Sequence, residues 1–489
     1  MGMSVLGGED HLDPTAHWAE RELANMGLRA KVSYASGNLG ASLLYNAFAT
    51  FALTFYVDKK YIGLDGVLYG MAIAIYGVWN AINDPLFGVL SDRTRTRWGR
   101  RRPYIFIGAI FLFVTYLLVW TPPVTGLPLA EPFNIPIFIY FLLTIIAFDG
   151  FYTLVSVPYV SMFPELYESP KDRSQVQLFR QLFAALGLIL AFTMPMMIET
   201  LSRTMTVYDA YKYVGLALGV VGSVPFIISV IWNKERKELS LETNPSLGPT
   251  LKTTLGNRTF LIFAVAYLMI QYAFLWMQSM LEFFSTNILG IGKGDVTILL
   301  LAMFVSALPF LAVWAAAYRK YGTRKCFIAT MSVFAISLQP FLFVSGLTQV
   351  LPIMFVAGVG LSGYMMLPEV MVSEIIDEDE VKSGIRREGV YFGMNGFLGR
   401  FGFVLSGLTA AFFFGLTGYQ GGTPPTPEVS LIFRLAMTTI PLMAMGLALV
   451  CLKYYPLHGE RLDAVRKAMD KMHMEKAERL EAAPKEEKL

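Results

Sequence analysis

Six ionisable residues fall deep inside long apolar stretches of this sequence: Asp84, Asp149, Arg180, Glu282, Glu369 and Arg400. In hydrocarbon such a group costs several kcal/mol and is retained to bind a solute, to carry an ion or proton, or to pair with another charge. Asp84 sits one helical turn from Asn80, so the two side chains share a face. Asp149, Thr153 and Ser156 stand at i, i+4 and i+7 and form a second stripe. Arg180 and Arg400 cannot be discharged, so each requires an anion or a set of carbonyls within reach. Every one of these residues also has a plainer reading. Asp84 would be a helix-end ion pair, Asp149 the structural partner of an arginine, and Arg180 part of a structural or gating ion pair. Glu282 and Glu369 would pair either arginine or face a polar cavity. Glu165, Glu199 and Glu374 lie near enough to the ends of their segments to reach water.

Other chemistries find no residues to carry them. There is no GxxxxGK[ST] loop, the nearest approach being Gly290-Ile-Gly-Lys293-Gly, so direct drive by ATP is not expected. His11, His17, His458 and His473 lie in the terminal regions, and Cys326 and Cys451 are far apart, so a histidine relay, a zinc site or an iron–sulfur site is not expected either. No GxSxG nucleophile motif occurs, and no enzyme activity or cofactor is anticipated.

The surrounding sequence says what must position these residues. Of 489 residues, 55% are hydrophobic and only 16% charged, against about 25% charged in soluble domains. Too few charges exist to coat the cores such a length would need. The net charge of +3 is too small to suggest a nucleic-acid partner. Twelve runs long enough to cross a bilayer as helices are read at 33–57, 65–90, 104–121, 135–163, 174–198, 211–232, 260–286, 295–318, 327–346, 350–375, 389–416 and 430–455. An even number places both termini on one side. Loops after even-numbered helices hold about 20 Lys and Arg, and those after odd-numbered ones about 5, so that side is expected to be cytoplasmic. The expected organisation is a cytoplasmic segment 1–32, a six-helix bundle 33–232, a cytoplasmic linker 233–259, a second bundle 260–455 and a cytoplasmic tail 456–489. Residues 14–28 and Glu460–Ala482 read as helical, solvated ends, and residues 1–30 lack the apolar region of a cleaved signal.

The two halves echo one another. Helix 2 is followed by Gly88-Val-Leu-Ser-Asp92-Arg93 and Gly99-Arg100-Arg101-Arg102, and helix 8 by Arg319-Lys320-Tyr321-Gly322-Thr323-Arg324-Lys325. Pro158 leads through Glu165 and Lys171-Asp172-Arg173 to Arg180, as Pro368 leads through Glu374 and Asp377 to Arg386-Arg387 and Arg400. Two such coincidences at matching places support a duplicated six-helix unit. The loop groups Gly88, Asp92, Arg93, Gly99, Arg386 and Arg387 suit a gate, because charge-assisted bonds to neighbouring helix ends break and reform when bundles rock. Their plainer use is to enforce topology and touch anionic lipid.

The stretch Asn83-Asp84-Pro85-Leu86-Phe87-Gly88 through Asp92-Arg93-Thr94-Arg95-Thr96-Arg97-Trp98-Gly99-Arg100-Arg101-Arg102-Pro103, with Arg386-Arg387-Glu388-Gly389 and Arg173 leading to Arg180, resembles the glycoside–pentoside–hexuronide:cation symporters, the melibiose-carrier group of the major facilitator superfamily. The resemblance implies an all-α membrane protein with twelve helices in two six-helix bundles, working by alternating access. It implies two carboxylates on helix 2 for the coupling cation, of which Asp84 matches one while Asn80 stands at the other. Thr153 matches a hydroxyl near that cation site. A lone buried carboxylate suits H⁺ more readily than Na⁺, although an amide oxygen still offers Na⁺ a ligand. The sugar-binding aspartates of the family fall at Ser42 and Ser156, which argues against a melibiose-like disaccharide and leaves Asp149 to supply a carboxylate from another height. Arg400 stands where many relatives keep a lysine, placed to pair with Asp84 or to hold an anionic substrate. Arg180 and Tyr152 are further substrate candidates. The rings of Tyr45, Tyr76, Trp79, Tyr152, Tyr159, Tyr272, Trp276, Tyr364 and Tyr391 suit a sugar face, or equally a packed core.

The expectation is therefore a monomeric, multi-pass symporter of a cell or inner membrane. It would take a sugar or glycoside with H⁺ or Na⁺, and lipid would be its only other partner. A carrier of lysophospholipid or another amphiphile, and an uncoupled facilitator, are the alternatives.

Overall fold

In a computed structural model the described residues are almost wholly helical. The structure describes residues 27–94, 96–123, 134–167, 170–233, 256–384, 388–419 and 421–482. The expected helix at 14–28 and most of the 233–259 linker lie outside them, as do Arg386 and Arg387.

The N-terminal half comprises α1 (Leu28–Val57), α2 (Gly66–Arg93), α3 (Arg102–Val119), α4 (Ile135–Leu166), α5 (Pro170–Phe192) and α6 (Val207–Ile231). The C-terminal half comprises α7 (Arg258–Phe283), α8 (Lys293–Tyr321), α9 (Thr323–Ser337), α10 (Leu347–Ser383), α11 (Glu388–Thr417) and α12 (Pro427–Lys453), and α13 (Glu460–Ala482) follows. Eleven of the first twelve are long and apolar enough to cross a membrane. The exception is α2, whose Asn80, Asn83 and Asp84 lower its hydropathy, and those are the residues with chemistry to do. The observed helices match the twelve expected runs in order, with ends that differ by a few residues. α1 begins at Leu28 rather than 33, and α10 runs on to Ser383, beyond the expected 375.

Local chemistry sets many of these ends. Asp65 caps α2 by accepting from the amides of Val67 (2.9 Å) and Leu68 (3.2 Å), and Asn257 does the same for α7. α5 breaks at Thr193, where Pro195 opens a separate short helix, Met194–Leu201. α7 passes into a π-helical turn at Phe284–Ile288.

The duplication visible in sequence is structural as well. Arg102, at the start of α3, donates from Nε (3.1 Å) and Nη2 (2.9 Å) to the Val230 carbonyl at the end of α6. In the other half Arg324, at the start of α9, donates to the carbonyls of Leu452 (2.7 Å) and Lys453 at the end of α12. Carbonyls at a helix C-terminus lack intrahelical donors, so a guanidinium there satisfies them and opposes the helix dipole. The end of the molecule bearing these residues is called the arginine-bearing end below, and its opposite the far end.

The C-terminal tail departs from its expected solvation. Leu462, Val465 and Met469 of α13 are buried, and Arg461 and Arg466 pair with Glu378 and Glu374 of α10. Glu374 consequently does not reach water. It is buried and also accepts from Thr323 (2.8 Å). The sequence reading failed here because its partners lie more than fifty residues away.

Candidate functional site

The halves meet most closely along α2 and α11, which run side by side. A Cβ at Gly70 would lie 2.4 Å from the Gly407 carbonyl oxygen, and one at Gly407 would lie 2.6 Å from the Gly70 oxygen. Only hydrogen at both positions allows backbones this close, the device by which membrane helices pack without a hydrophobic drive. On the arginine-bearing side of these glycines the seam turns polar.

Arg400 of α11 reaches across it. Its Nη2 donates to Asp84 Oδ2, and its Nη1 to Asn80 Oδ1 (2.7 Å) and the Asn80 carbonyl (3.1 Å). The Arg400 and Asp84 side chains remain 28% and 30% exposed, so solvent reaches the pair. Among the described residues Asp84 Oδ1 has no hydrogen-bond partner, and the Thr153 hydroxyl of α4 faces the same carboxylate. Thus Asp84, Asn80, Thr153 and Arg400, separated by over three hundred residues at the extremes, form one group. Arg400 takes the pairing that the sequence allowed with Asp84.

Asp149 joins this group rather than a substrate cavity. Only 2% of it is exposed. Its Oδ1 accepts from Asn80 Nδ2 (2.6 Å) and Tyr76 Oη (3.3 Å), and its Oδ2 from Asn83 Nδ2. With both oxygens turned onto α2, it neither pairs with an arginine nor presents itself as a solute ligand. Asn83 was missed as a site residue because an amide beside a proline-terminated motif looks like ordinary helix punctuation.

The remaining candidates divide. Arg180 has no carboxylate partner among the described residues. It donates to Asn38 Oδ1 and Gln177 Oε1 (both 3.1 Å) and lies over the Phe163 and Tyr159 rings at 4.8 and 5.8 Å. A guanidinium over an aromatic face gains about 0.5–2 kcal/mol. Tyr152 donates to the Ala41 carbonyl (3.1 Å). Ser42 lies 3.4 Å from Asn46 Nδ2, and Gln278 Nε2 of α7 bonds Asn46 Oδ1 (3.2 Å) and Thr50 (3.0 Å), which links α1 to α7 across the halves. Ser156 is half-buried on α4. Asn38 and Asn46 are neutral and stand beside no charged residue at helical spacing, so nothing in the apolar runs marks them; Gln278 lies one turn before Glu282, but its partners are on α1.

The aromatic candidates also divide. Tyr76, Tyr159, Trp276 and Tyr391 are core residues at 0–1% exposure and offer no face to a solute. Tyr45, Tyr152, Tyr272 and Tyr364 are partly buried. A small, mostly apolar pocket between the halves is lined by Phe48, Tyr69, Ile73, Ser279, Phe403 and Ser406.

Of the loop residues, Gly99 has φ 110° in a turn closed by Thr96, whose hydroxyl donates to the Gly99 carbonyl (2.6 Å), a backbone that other residues rarely adopt. Gly88 sits at the α2–α4 crossing near Val157. Arg101 donates to the Ser161 carbonyl of α4 (2.6 Å). The side chains of Asp92 and Arg93 lie outside the described residues.

A second charged group joins the halves at the far end. Lys293 donates to Tyr211 Oη (2.7 Å) and lies 4.1 Å from the centre of the Tyr61 ring. The Gly294 amide donates to Glu199 Oε2 (2.5 Å). Buried Glu282 lies in the field of Lys293 and Asp58 and pairs with no arginine, contrary to one sequence expectation. Glu369 is exposed on α10 and lies in the field of Tyr267.

The sequence matches the family described as MFS/sugar transport protein over residues 33–459. It is 24% identical to the isoprimeverose transporter of Lactiplantibacillus pentosus, over 87% of this chain and 88% of that one. It is 22% identical to the sodium-dependent lysophosphatidylcholine symporter 1 of Gallus gallus, over 91% and 90%. The fold is similar to a crystal structure of the nucleoside transporter NupG, with a TM-score of 0.63 and 12% identity, over 87% of this chain and 98% of that one. The chain belongs to the MFS/sugar transport protein family and has the major facilitator fold.

Proposed function

We propose that this member of a transporter family moves a sugar or glycoside across a membrane together with a cation, by alternating access. The observation that carries the reading is the group made by Arg400, Asp84 and Asn80. It places an ion pair between two halves that must move relative to each other, and it leaves one oxygen of Asp84 without a hydrogen-bond partner among the described residues. When Asp84 is unloaded, Arg400 supplies its counter-charge. A cation arriving at Asp84, with Asn80 and Thr153 beside it, replaces that counter-charge and frees Arg400. A ligand can shift such an equilibrium only by binding the two states differently, and loss of an inter-half ion pair provides that difference. One carboxylate among amides suits H⁺ better than Na⁺.

The excess of Lys and Arg places the arginine-bearing end, and both termini, in the cytoplasm. The partly buried rings of Tyr45, Tyr152 and Tyr364 offer a stacking surface for a sugar in the field of Arg400, while Arg180, Ser42 and Ser156 line the N-terminal half. The protein acts as a monomer and needs no resident cofactor.

The test is substrate-evoked current in proteoliposomes across glycosides, uronides and lysophospholipids, each with a proton gradient alone and with Na⁺ added. Current with one sugar class supports the reading, and its ion dependence identifies the coupling cation. A response confined to lysophospholipid moves the protein to amphiphile transport. Sugar flux without current or gradient dependence makes it a facilitator.

A further inference from the structure

The ionised group on the α2–α11 seam does not balance. Asp84 and Asp149 contribute two negative charges and Arg400 one positive. Arg400 spends its direct bonds on Asp84 and on Asn80. Asp149 is held by Asn80, Asn83 and Tyr76, all neutral, and among the described residues no cation bonds it, Arg400 reaching it only through its field. The other phenols in its field, Tyr45 of α1 and Tyr152 of its own helix, bring no charge. An uncompensated carboxylate at 2% exposure is costly, and a proton removes that cost with no change of shape.

Asn80 links this carboxylate to the ion pair. Its amide has one accepting and one donating end, and here both are used: Oδ1 accepts from Arg400 Nη1 at 2.7 Å, and Nδ2 donates to Asp149 Oδ1 at 2.6 Å. In that pattern Oδ1 of Asp149 is an acceptor. A proton on Oδ1 makes it a donor toward Asn80, and the amide meets it by turning over. The NH₂ group would then face the guanidinium, donor against donor, and Arg400 would lose one of its two side-chain acceptors on α2, keeping Asp84.

We propose that Asp149 is the seat of the coupled proton, and that Asn80 transmits its protonation state to the Arg400 contact between the halves. The inference rests on the proton-coupled reading above and seats the proton on Asp149 in place of Asp84. Asp149 gains one proton from solvent and returns it unchanged, so nothing else is consumed. Asp84 keeps its pairing role. Asp149 is a proton-carrying group and Asn80 a positioning residue.

The test needs neither substrate nor transport, so it stands or falls apart from the sugar assignment. Purified protein in nanodiscs would be acidified while its infrared difference spectrum is recorded. Wild type and Asp84→Asn are expected to gain a protonated-carboxyl band that Asp149→Asn lacks. A band of full size in Asp149→Asn overturns the assignment. The relay has its own arm, which also serves should Asp149→Asn fail to fold. Spin labels at Leu178 on α5 and Val313 on α8, both exposed, would report the inter-half distance with Cys326 and Cys451 replaced. Acidification is expected to shift the population of distances about tenfold in wild type, a change of about 1.4 kcal/mol, and to leave Asn80→Leu unmoved although its carboxyl band remains. An acid-driven shift that persists in Asn80→Leu overturns the relay.

Discussion

Two of the seams along which the halves touch differ in construction. At the α2–α11 seam, glycines bring backbones together and one ion pair, Arg400 with Asp84, closes the polar end. On the other side α8 meets the N-terminal half chiefly through the short Met194–Leu201 helix, and the contacts are long, adaptable side chains: Lys293 on tyrosine rings and Glu199 on the Gly294 amide. Backbone packing resists separation and fixes register, whereas a lysine over aromatic faces tolerates displacement. The difference assigns the seams distinct work. In the proposed mechanism the α2–α11 seam is where a charge placed by an ion changes the relation of the halves, and the far-end group of α8 is built to open and close around it.

The duplicated arginines make the same contrast. Arg180 and Arg400 occupy matching places in the two repeats, yet Arg180 stays within its half, on Asn38 and two rings, while Arg400 crosses to the other half. One repeat uses the position to stiffen a bundle and the other to join two bundles.

Substitutions can break this contrast, starting with the largest effect. Gly407→Leu would drive carbon into the Gly70 carbonyl, and overpacking of this kind costs about 1–3 kcal/mol or more. A large fall in the thermal midpoint of the purified protein is expected. Gly446→Leu, which has nothing within 4 Å, is expected to leave the midpoint in place, and equal losses would show that the seam has no special packing. Arg400→Gln leaves Asp84 without its cation. Between the value of an exposed pair and a buried one, about 2 kcal/mol of stability is at stake, and concentrative uptake is expected to vanish. Lys293→Met in the far-end group should cost about 1 kcal/mol and increase thiol labelling at far-end positions, while the ion dependence of transport is unchanged. A changed ion dependence would merge the two seams into one coupling unit. Arg466→Ala, whose side chain is 53% exposed, should cost under about 1 kcal/mol and show itself only as faster proteolysis of α13.

Much of this arrangement was legible in the sequence, and the illegible part has a common cause. Hydropathy revealed the helices and their order, because spanning length and apolar composition are local properties. Asp84 and Arg400 stood out because charge in hydrocarbon is rare, and Asn80 because it lies one helical turn from Asp84. The i, i+4, i+7 stripe showed that Asp149 and Thr153 share a face, but not that the face meets α2. Glu374 of α10 looked solvent-reachable because its arginine, Arg466, arrives from α13. Glu282 is the instructive miss. Lys293 lies only eleven positions further on, past a π-helical turn, and the search for an arginine in mid-membrane passed over it.

The central claim is that Asp84 ties the coupling ion to the movement of the halves. The most direct test compares substrate counterflow with concentrative uptake in proteoliposomes holding wild type or Asp84→Asn. The account predicts that Asp84→Asn still exchanges substrate across the membrane but no longer concentrates it against a gradient. Concentrative uptake at the wild-type rate in Asp84→Asn would contradict it.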